Sequence, residues 1–212
     1  MKKTFINFAK IFIFPIARIF TEKIEGKENF FKYDSFILVS NHNNGLDHFF
    51  IGNALKDKLK NVHFVGAMDN FKILLMSGLL YQFSDTIVID RKKPKRKEFL
   101  EVITKYLKKG KIIIIYPEGD VNKTKFLLRG KTGVAELALK NRVPIIPVGI
   151  KKAENSFKKI VKIGTPLTFP LETEEFKNLE RNQKDYTLLL TKVTDKIMQE
   201  ISNLCGKPYN YK

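Results

Sequence analysis

Four consecutive isoleucines, Ile112 to Ile115, framed by Lys111 and Tyr116, leave this chain little choice of setting. A strand with one wet face alternates apolar and polar residues. A run this uniformly β-branched has no face to give to water, so KIIIIY reads as a central strand covered on both sides. Sheets covered on both faces are parallel ones, whose strands are joined by crossing helices. The rest of the chain supplies that alternation. β-type runs end at Ser40 and span Val62 to Ala67, Thr86 to Asp90 and Pro144 to Ile150, with Val161 to Leu167 as an edge strand. Between them lie helical patterns: an apolar one from Phe71 to Phe83, one carrying Phe99, Val102, Ile103, Tyr106 and Leu107 and stopped by Gly110, and one with Val134, Leu137 and Ala138 inward. The last helix repeats Tyr186, Leu189, Leu190, Val193, Ile197, Ile201 and Leu204 at spacings of three and four. The expectation is α/β: a single-domain sandwich with a largely parallel central sheet flanked by helices. At 212 residues and 43% hydrophobic, the chain has material for one good core.

Residues 1 to 20, MKKTFINFAKIFIFPIARIF, start basic and turn apolar, but Lys10, Pro15 and Arg18 interrupt the run and no small-residue cleavage site follows. On a helical wheel Lys3, Asn7, Lys10 and Arg18 share a face, leaving Phe5, Phe8, Phe12, Ile16 and Ile19 elsewhere. The pattern predicts an N-terminal amphipathic membrane-associating helix over 1–23, lying in the interface, ahead of a domain over 24–212. Packing of that helix on the domain's own core is the alternative, since periodicity does not separate the two burials. No run of 18 uninterrupted apolar residues exists, so no transmembrane span is expected. The lone Cys205 rules out an internal disulfide framework and fits a reducing compartment.

Chemistry concentrates in Phe36 to Phe50, FILVSNHNNGLDHFF. The strand ends, a polar turn carries His42, and Asp47 stands where a helix N-cap belongs, so its carboxylate can fold back toward the imidazole. A carboxylate on Nδ1 fixes the tautomer and stabilises the imidazolium formed on proton uptake, which makes a general base. A hydrolase would aim that base at its own serine, yet the chain has no G-x-S-x-G elbow. With an activated acyl donor such as a thioester, the substrate's own hydroxyl can attack the acyl carbon directly. Three other settings fit the same spacing: a surface histidine before a helix cap, a core histidine satisfied by backbone, or a metal site built from His42, Asp47 and His48. His63, inside a strand pattern, reads as structural.

Asn41 to Asp47, NHNNGLD, resembles the N-H-x-x-x-x-D motif of the 1-acylglycerol-3-phosphate acyltransferase family. Ile89-Asp90-Arg91 is similar to the family's F-I-D-R block, Tyr116-Pro117-Glu118-Gly119 to F-P-E-G, and Val143 to Val148 to V-P-I-V-P-V. The four blocks stand in the family's order. The resemblance implies transfer of a fatty acyl group from acyl-CoA or acyl carrier protein to a hydroxyl of lysophosphatidic acid or a related lysophospholipid acceptor, with no cofactor and no metal. It implies His42 as base, Asp47 as its orienting partner and Arg91 as a phosphate ligand, a role a bidentate guanidinium suits. Glu118 and Gly119 would shape the acceptor site. Where the family's third block continues E-G-T-R-S, this chain has Glu118-Gly119-Asp120-Val121-Asn122. Val121 replaces the expected arginine, and Lys123 or Arg129 from the same loop would supply the charge, with another lipid hydroxyl as the alternative acceptor.

A formal net charge of +17, from 39 Lys and Arg against 22 Asp and Glu, calls for anionic partners. The basic runs Lys92 to Lys97 and Lys123 to Lys131 would face an anionic membrane surface, giving a peripheral or monotopic protein on the cytoplasmic face of the cell membrane. A non-catalytic membrane- or nucleic-acid-binding protein would use the same charge. No helix-turn-helix, zinc-finger or RNA-recognition signature accompanies it, so nucleic acid is not expected.

Overall fold

The isoleucine run is an interior strand, with Ile112, Ile113 and Ile114 fully buried and Ile115 half-buried at its end. In the computed structural model, which describes residues 7–67, 86–89, 96–181 and 183–211, it is β5, Ile112–Ile115. The other strands are β1 Thr21–Glu25, β2 Ile37–Ser40, β3 Val62–Ala67, β4 Ile87–Ile89, β6 Ile145–Lys152 and β7 Lys159–Ile163. They form one sheet in the order β1-β7-β6-β2-β5-β3-β4. Every neighbouring pair is parallel except β6 and β7.

Side-chain alternation along β2, β5 and β6 feeds two cores. Leu38, Ile112, Ile114, Ile146 and Val148 meet Phe50 and Ile51 of helix α2, Asp47–Ala54, on one face. Ile37, Val39, Ile113 and Ile145 meet α3, Arg96–Lys108, α4, Gly133–Asn141, and α6, Lys184–Cys205, on the other. Each such side chain contributes about 1.5–3 kcal/mol by leaving water. A short helix, Pro170–Lys177, lies beside α6. The end of α6 rests directly on β6: a Cβ built on Gly149 would lie 2.5 Å from the backbone nitrogen of Cys205.

Two sequence expectations shift. The strand expected over Val161 to Leu167 is Lys159–Ile163 and is not an edge, because β1 pairs along its free side. Leu167 instead makes an isolated bridge to Ile145. TEKIE, the sequence of β1, has one aliphatic residue among charges, so only the backbone ladder marks it as a strand. It also moves the N-terminal boundary. Helical structure ends at Ile19 and the chain is already in the sheet at Thr21, so a division between residues 23 and 24 cuts β1.

Before β1, a π-helical turn Ala9–Ile13 runs into α1, Phe14–Ile19, with Pro15 tolerated in the first turn. Ala9, Phe14 and Ala17 are buried, and α1 packs on α2 with the Phe14 ring against Gly52. Phe8, Ile11, Phe12, Ile16 and Ile19 are exposed. Among the described residues no helix is long and apolar enough to cross a membrane. The helix expected at Phe71 to Phe83 and the residues Lys3, Phe5, Arg91, Lys92, Lys93 and Lys95 lie outside the described residues.

Candidate active site

The C-terminal ends of the parallel strands β2 and β5 open onto one rim, and His42, Asp47, Glu118 and Gly119 follow there. β2 ends at Ser40, Asn41 follows fully buried, and its amide clasps strand β6 in both directions: Nδ2 donates to the Ile150 carbonyl at 2.9 Å and Oδ1 accepts from the Ile150 N–H at 2.8 Å. Asn43 Nδ2 donates to the same carbonyl at 3.0 Å. The turn carrying His42 is thus stapled to the sheet on both sides of the histidine.

Asp47 is the first residue of α2, one place inside the helix rather than its N-cap, which is Leu46. Its carboxylate points back into the turn. Oδ2 accepts the backbone N–H groups of Asn43 at 2.6 Å and Asn44 at 2.9 Å and lies 3.0 Å from His42 Nδ1, while Oδ1 is buried with no partner among the described residues. An ionised carboxylate only accepts, so Nδ1 carries the ring proton and Nε2 offers its lone pair. The His42 side chain is 14% exposed and Asp47 is sealed. His42 is therefore neither a freely solvated surface histidine nor a core histidine tied up by backbone.

Aromatic rings complete the site. Tyr116, at the end of β5, stacks on His42 with centroids 4.0 Å apart and planes 16° from parallel. His48 Nδ1 lies 2.8 Å from the Tyr116 hydroxyl, and its ring meets the Phe64 ring edge-on at 5.0 Å. Burial among these rings, with the charge of His42 adding to it against an opposing pull from Asp47, pushes His48 down to about 4. Among the described residues no three His, Cys, Asp or Glu side chains form a group able to hold a metal ion.

Glu118 is buried beneath the turn. Oε1 accepts the His42 N–H at 3.1 Å, and Oε2 accepts the Leu128 N–H at 2.9 Å and Asn122 Nδ2. Asn122 in turn donates its N–H to the His42 carbonyl at 2.7 Å. Gly119 takes φ +76°, and a Cβ there would meet Lys131 Cε at 2.9 Å, so glycine suits this corner. The following loop carries Lys123 and Arg129, both exposed. It is closed by Lys131 N–H to the Pro117 carbonyl and held from the C-terminal tail by Leu127 N–H to the Pro208 carbonyl and Lys207 Nζ to the Asn122 carbonyl.

The structure brings together His42, Asp47, Glu118 and Gly119, and places Lys123 and Arg129 on the adjoining loop. Arg96, read as part of a lipid-facing basic run, is otherwise engaged: it pairs with Glu136 at 2.8 Å, and Arg181 holds the other oxygen of the same carboxylate. Burial would raise Glu136, yet the two guanidinium groups hold it below the ordinary carboxylate range. His63 is buried in β3 against the Tyr106 ring, as a structural residue would be. Sequence reasoning passed over Tyr116 as a stacking partner, His48 as its anchor, and the braces from Asn41, Asn122 and Lys207. The one available signal was a tyrosine where the resembled motif has phenylalanine.

An acyltransferase family model matches residues 22–151. The 1-acyl-sn-glycerol-3-phosphate acyltransferase of Limnanthes douglasii is 32% identical over 143 residues, covering 65% of this chain and 47% of that protein. The enzyme of the same name from Salmonella typhimurium is 27% identical over 144 residues, covering 66% and 57%. The chain thus spans about half the length of these relatives. The crystal structure of the 1-acyl-sn-glycerophosphate (LPA) acyltransferase PlsC from Thermotoga maritima superimposes with a TM-score of 0.58 at 20% identity, over 94% of this chain and 79% of that one, a likeness of fold. With the model spanning well over half its length, from within β1 to within β6, the chain belongs to the acyltransferase family.

Proposed function

We propose that the protein transfers a fatty acyl group from a thioester, acyl-CoA or acyl carrier protein, to the free hydroxyl of lysophosphatidic acid at a membrane surface. The observation that carries this reading is the His42–Asp47 contact at the sheet rim, with Nδ1 committed to the carboxylate and Nε2 left without a partner among the described residues. Nε2 takes the proton of the acceptor hydroxyl as its oxygen attacks the thioester carbonyl. The tetrahedral intermediate then collapses, the carbon–sulfur bond breaks, and the imidazolium returns its proton to the departing thiolate. No acyl-enzyme is needed, because the donor is already activated. General-base help of this kind supplies roughly 10² to 10⁴ in rate.

Arg91 and the exposed cations Lys123 and Arg129 are assigned to the acceptor's phosphate, whose charge they match. The exposed apolar side of the segment from Phe8 to Ile19 supports peripheral attachment to the bilayer. Val121, where the motif's arginine is expected, favours one second reading: an acceptor of the same class with a different head group. The test is a product screen with acyl-CoA and acyl carrier protein donors against lysophosphatidic acid, glycerol-3-phosphate and neutral lysophospholipids. Phosphatidic acid formed by the wild type and lost in His42→Ala, with folding intact, supports the reading. Transfer that persists in His42→Ala, or none to any acceptor, refutes it.

A further inference from the structure

Strands β6 and β7 end in a tight tip, Ala153 to Lys158, closed by Ala153 N–H to the Lys158 carbonyl at 3.0 Å. Phe157, on this tip, is 68% exposed, and its ring meets that of Phe20, itself 44% exposed, at 5.8 Å edge-on. The contact is held from below, because the Lys159 N–H donates to the Phe20 carbonyl at 2.8 Å and Thr21 pairs with Lys159. Phe157 therefore extends the exposed apolar row of Phe8, Phe12, Ile16, Ile19 and Phe20 across from the N-terminal helix onto the sheet's own hairpin.

The charges around this tip fit poorly with an isolated protein. Lys152 and Lys159 sit directly opposite each other in the antiparallel ladder, an arrangement of like charges that destabilises a pair of strands. Lys151 and Lys158 flank them, and none of the four has an ion pair among the described residues. Four lysines against the tip's one acid, Glu154, beside an exposed phenylalanine leave a positive excess that an anionic lipid interface compensates. The tip also stands at the right height. Ser40 pairs with Val148 and the asparagines flanking His42 clasp Ile150, two residues before Lys152, so hairpin and catalytic turn leave the sheet on the same rim.

We propose that the β6–β7 tip is a second foot on the membrane, with Phe157 inserted beside Phe20 and Lys151, Lys152, Lys158 and Lys159 at the phosphates of an anionic bilayer. A footprint that widens from the helix onto the adjoining hairpin fixes the protein's tilt, which one helix lying in the interface leaves free to roll. It turns the His42 rim toward the lipid in which an acceptor is dissolved. The proposal rests on the peripheral attachment inferred above and adds its second contact and its orientation.

The chain has no tryptophan, so single reporters are unambiguous. Phe157→Trp, Ile16→Trp and Leu171→Trp, the last exposed at the opposite rim, are titrated with phosphatidylcholine vesicles with and without phosphatidylglycerol, some carrying brominated acyl chains. The expected result is a blue shift and bromine quenching for Phe157→Trp and Ile16→Trp with the anionic vesicles, and neither for Leu171→Trp. In parallel, Phe157→Asp lowers vesicle affinity roughly tenfold, the scale of one exposed aromatic leaving lipid, while activity toward a short-chain soluble acceptor is unchanged. Insertion of Ile16→Trp with an unshifted Phe157→Trp overturns the second foot and leaves the helix attachment standing. Absence of co-sedimentation for every variant and the wild type overturns both.

Discussion

The Tyr116 ring lies flat on the His42 imidazole, centroids 4.0 Å apart, and its hydroxyl is 2.8 Å from His48 Nδ1. Asp47 holds the imidazole in its own plane through Nδ1, and Tyr116 blocks rotation out of that plane, so together they fix where Nε2 points. Tyr116→Phe keeps the stack, and kcat should stay within about twofold while stability falls by about 1 kcal/mol, the net worth of a typical hydrogen bond. Tyr116→Leu removes the face, and kcat should fall roughly tenfold at unchanged KM, the upper end of what an aromatic pair contributes. Steady-state kinetics with thermal melts on the same preparations separates the two. Equal losses of kcat in both variants would remove the stack from the account.

His48 predicts an acid-labile step. Its folded value of about 4 lies below the ordinary 6.5, so the unfolded chain binds the proton more readily. The stability this contributes is fully present above pH 6.5 and is lost as the pH falls from there toward 4. The interval corresponds to roughly 3 kcal/mol. Glu136, also held low, loses its contribution further down, below its ordinary 4.5, because its partners favour the charged form. Melting temperature measured across this range should decline for the wild type well before carboxylates protonate. His48→Gln should flatten the upper part of that decline and leave the lower part.

What could be read from residue order, and what could not, divides along physical lines. The Ile112 to Ile115 run and the α6 stripe declare themselves, because burial on two faces or on one helical stripe writes itself into composition. Strand β1 does not, since an edge strand is held by backbone bonds that leave no mark on TEKIE. At the site, the His42–Asp47 spacing carried the pair, being local and five residues long. The stack of Tyr116 on His42 and the reach of Glu118 under the same turn join residues more than 70 positions apart, and only the parallel pairing of β2 with β5 brings them together.

Glu118 gives a prediction of its own. The buried carboxylate receives donors from His42, Asn122 and Leu128, so it anchors the backbone of the His42 turn to the loop after β5. Glu118→Gln puts an NH₂ where an acceptor is required and should cost about 2–3 kcal/mol, the scale of a buried donor left unmet or of a hydrogen bond to a charged group. Because His42 itself moves with that backbone, kcat should drop by at least tenfold at a temperature where the variant is fully folded. Hydrogen exchange gives the independent check: the amides of His42 and Leu128 should lose protection in Glu118→Gln while those of α6 keep it.

Arg129 and Lys123 separate head-group binding from chemistry. Both are exposed on the loop that also carries Glu118, and neither makes an ion pair among the described residues. If Arg129 takes the acceptor's phosphate, Arg129→Ala should raise KM for lysophosphatidic acid about tenfold, in line with the worth of a charge-assisted hydrogen bond, and leave kcat nearly unchanged. Arg129→Lys should recover only part of the loss, since an ammonium does not fork onto two phosphate oxygens. A neutral lysolipid acceptor should show no difference among the three proteins. A fall in kcat with both acceptors would instead mean that Arg129 acts by holding the loop in place, and the phosphate would then have to be met by Lys123 or Arg91.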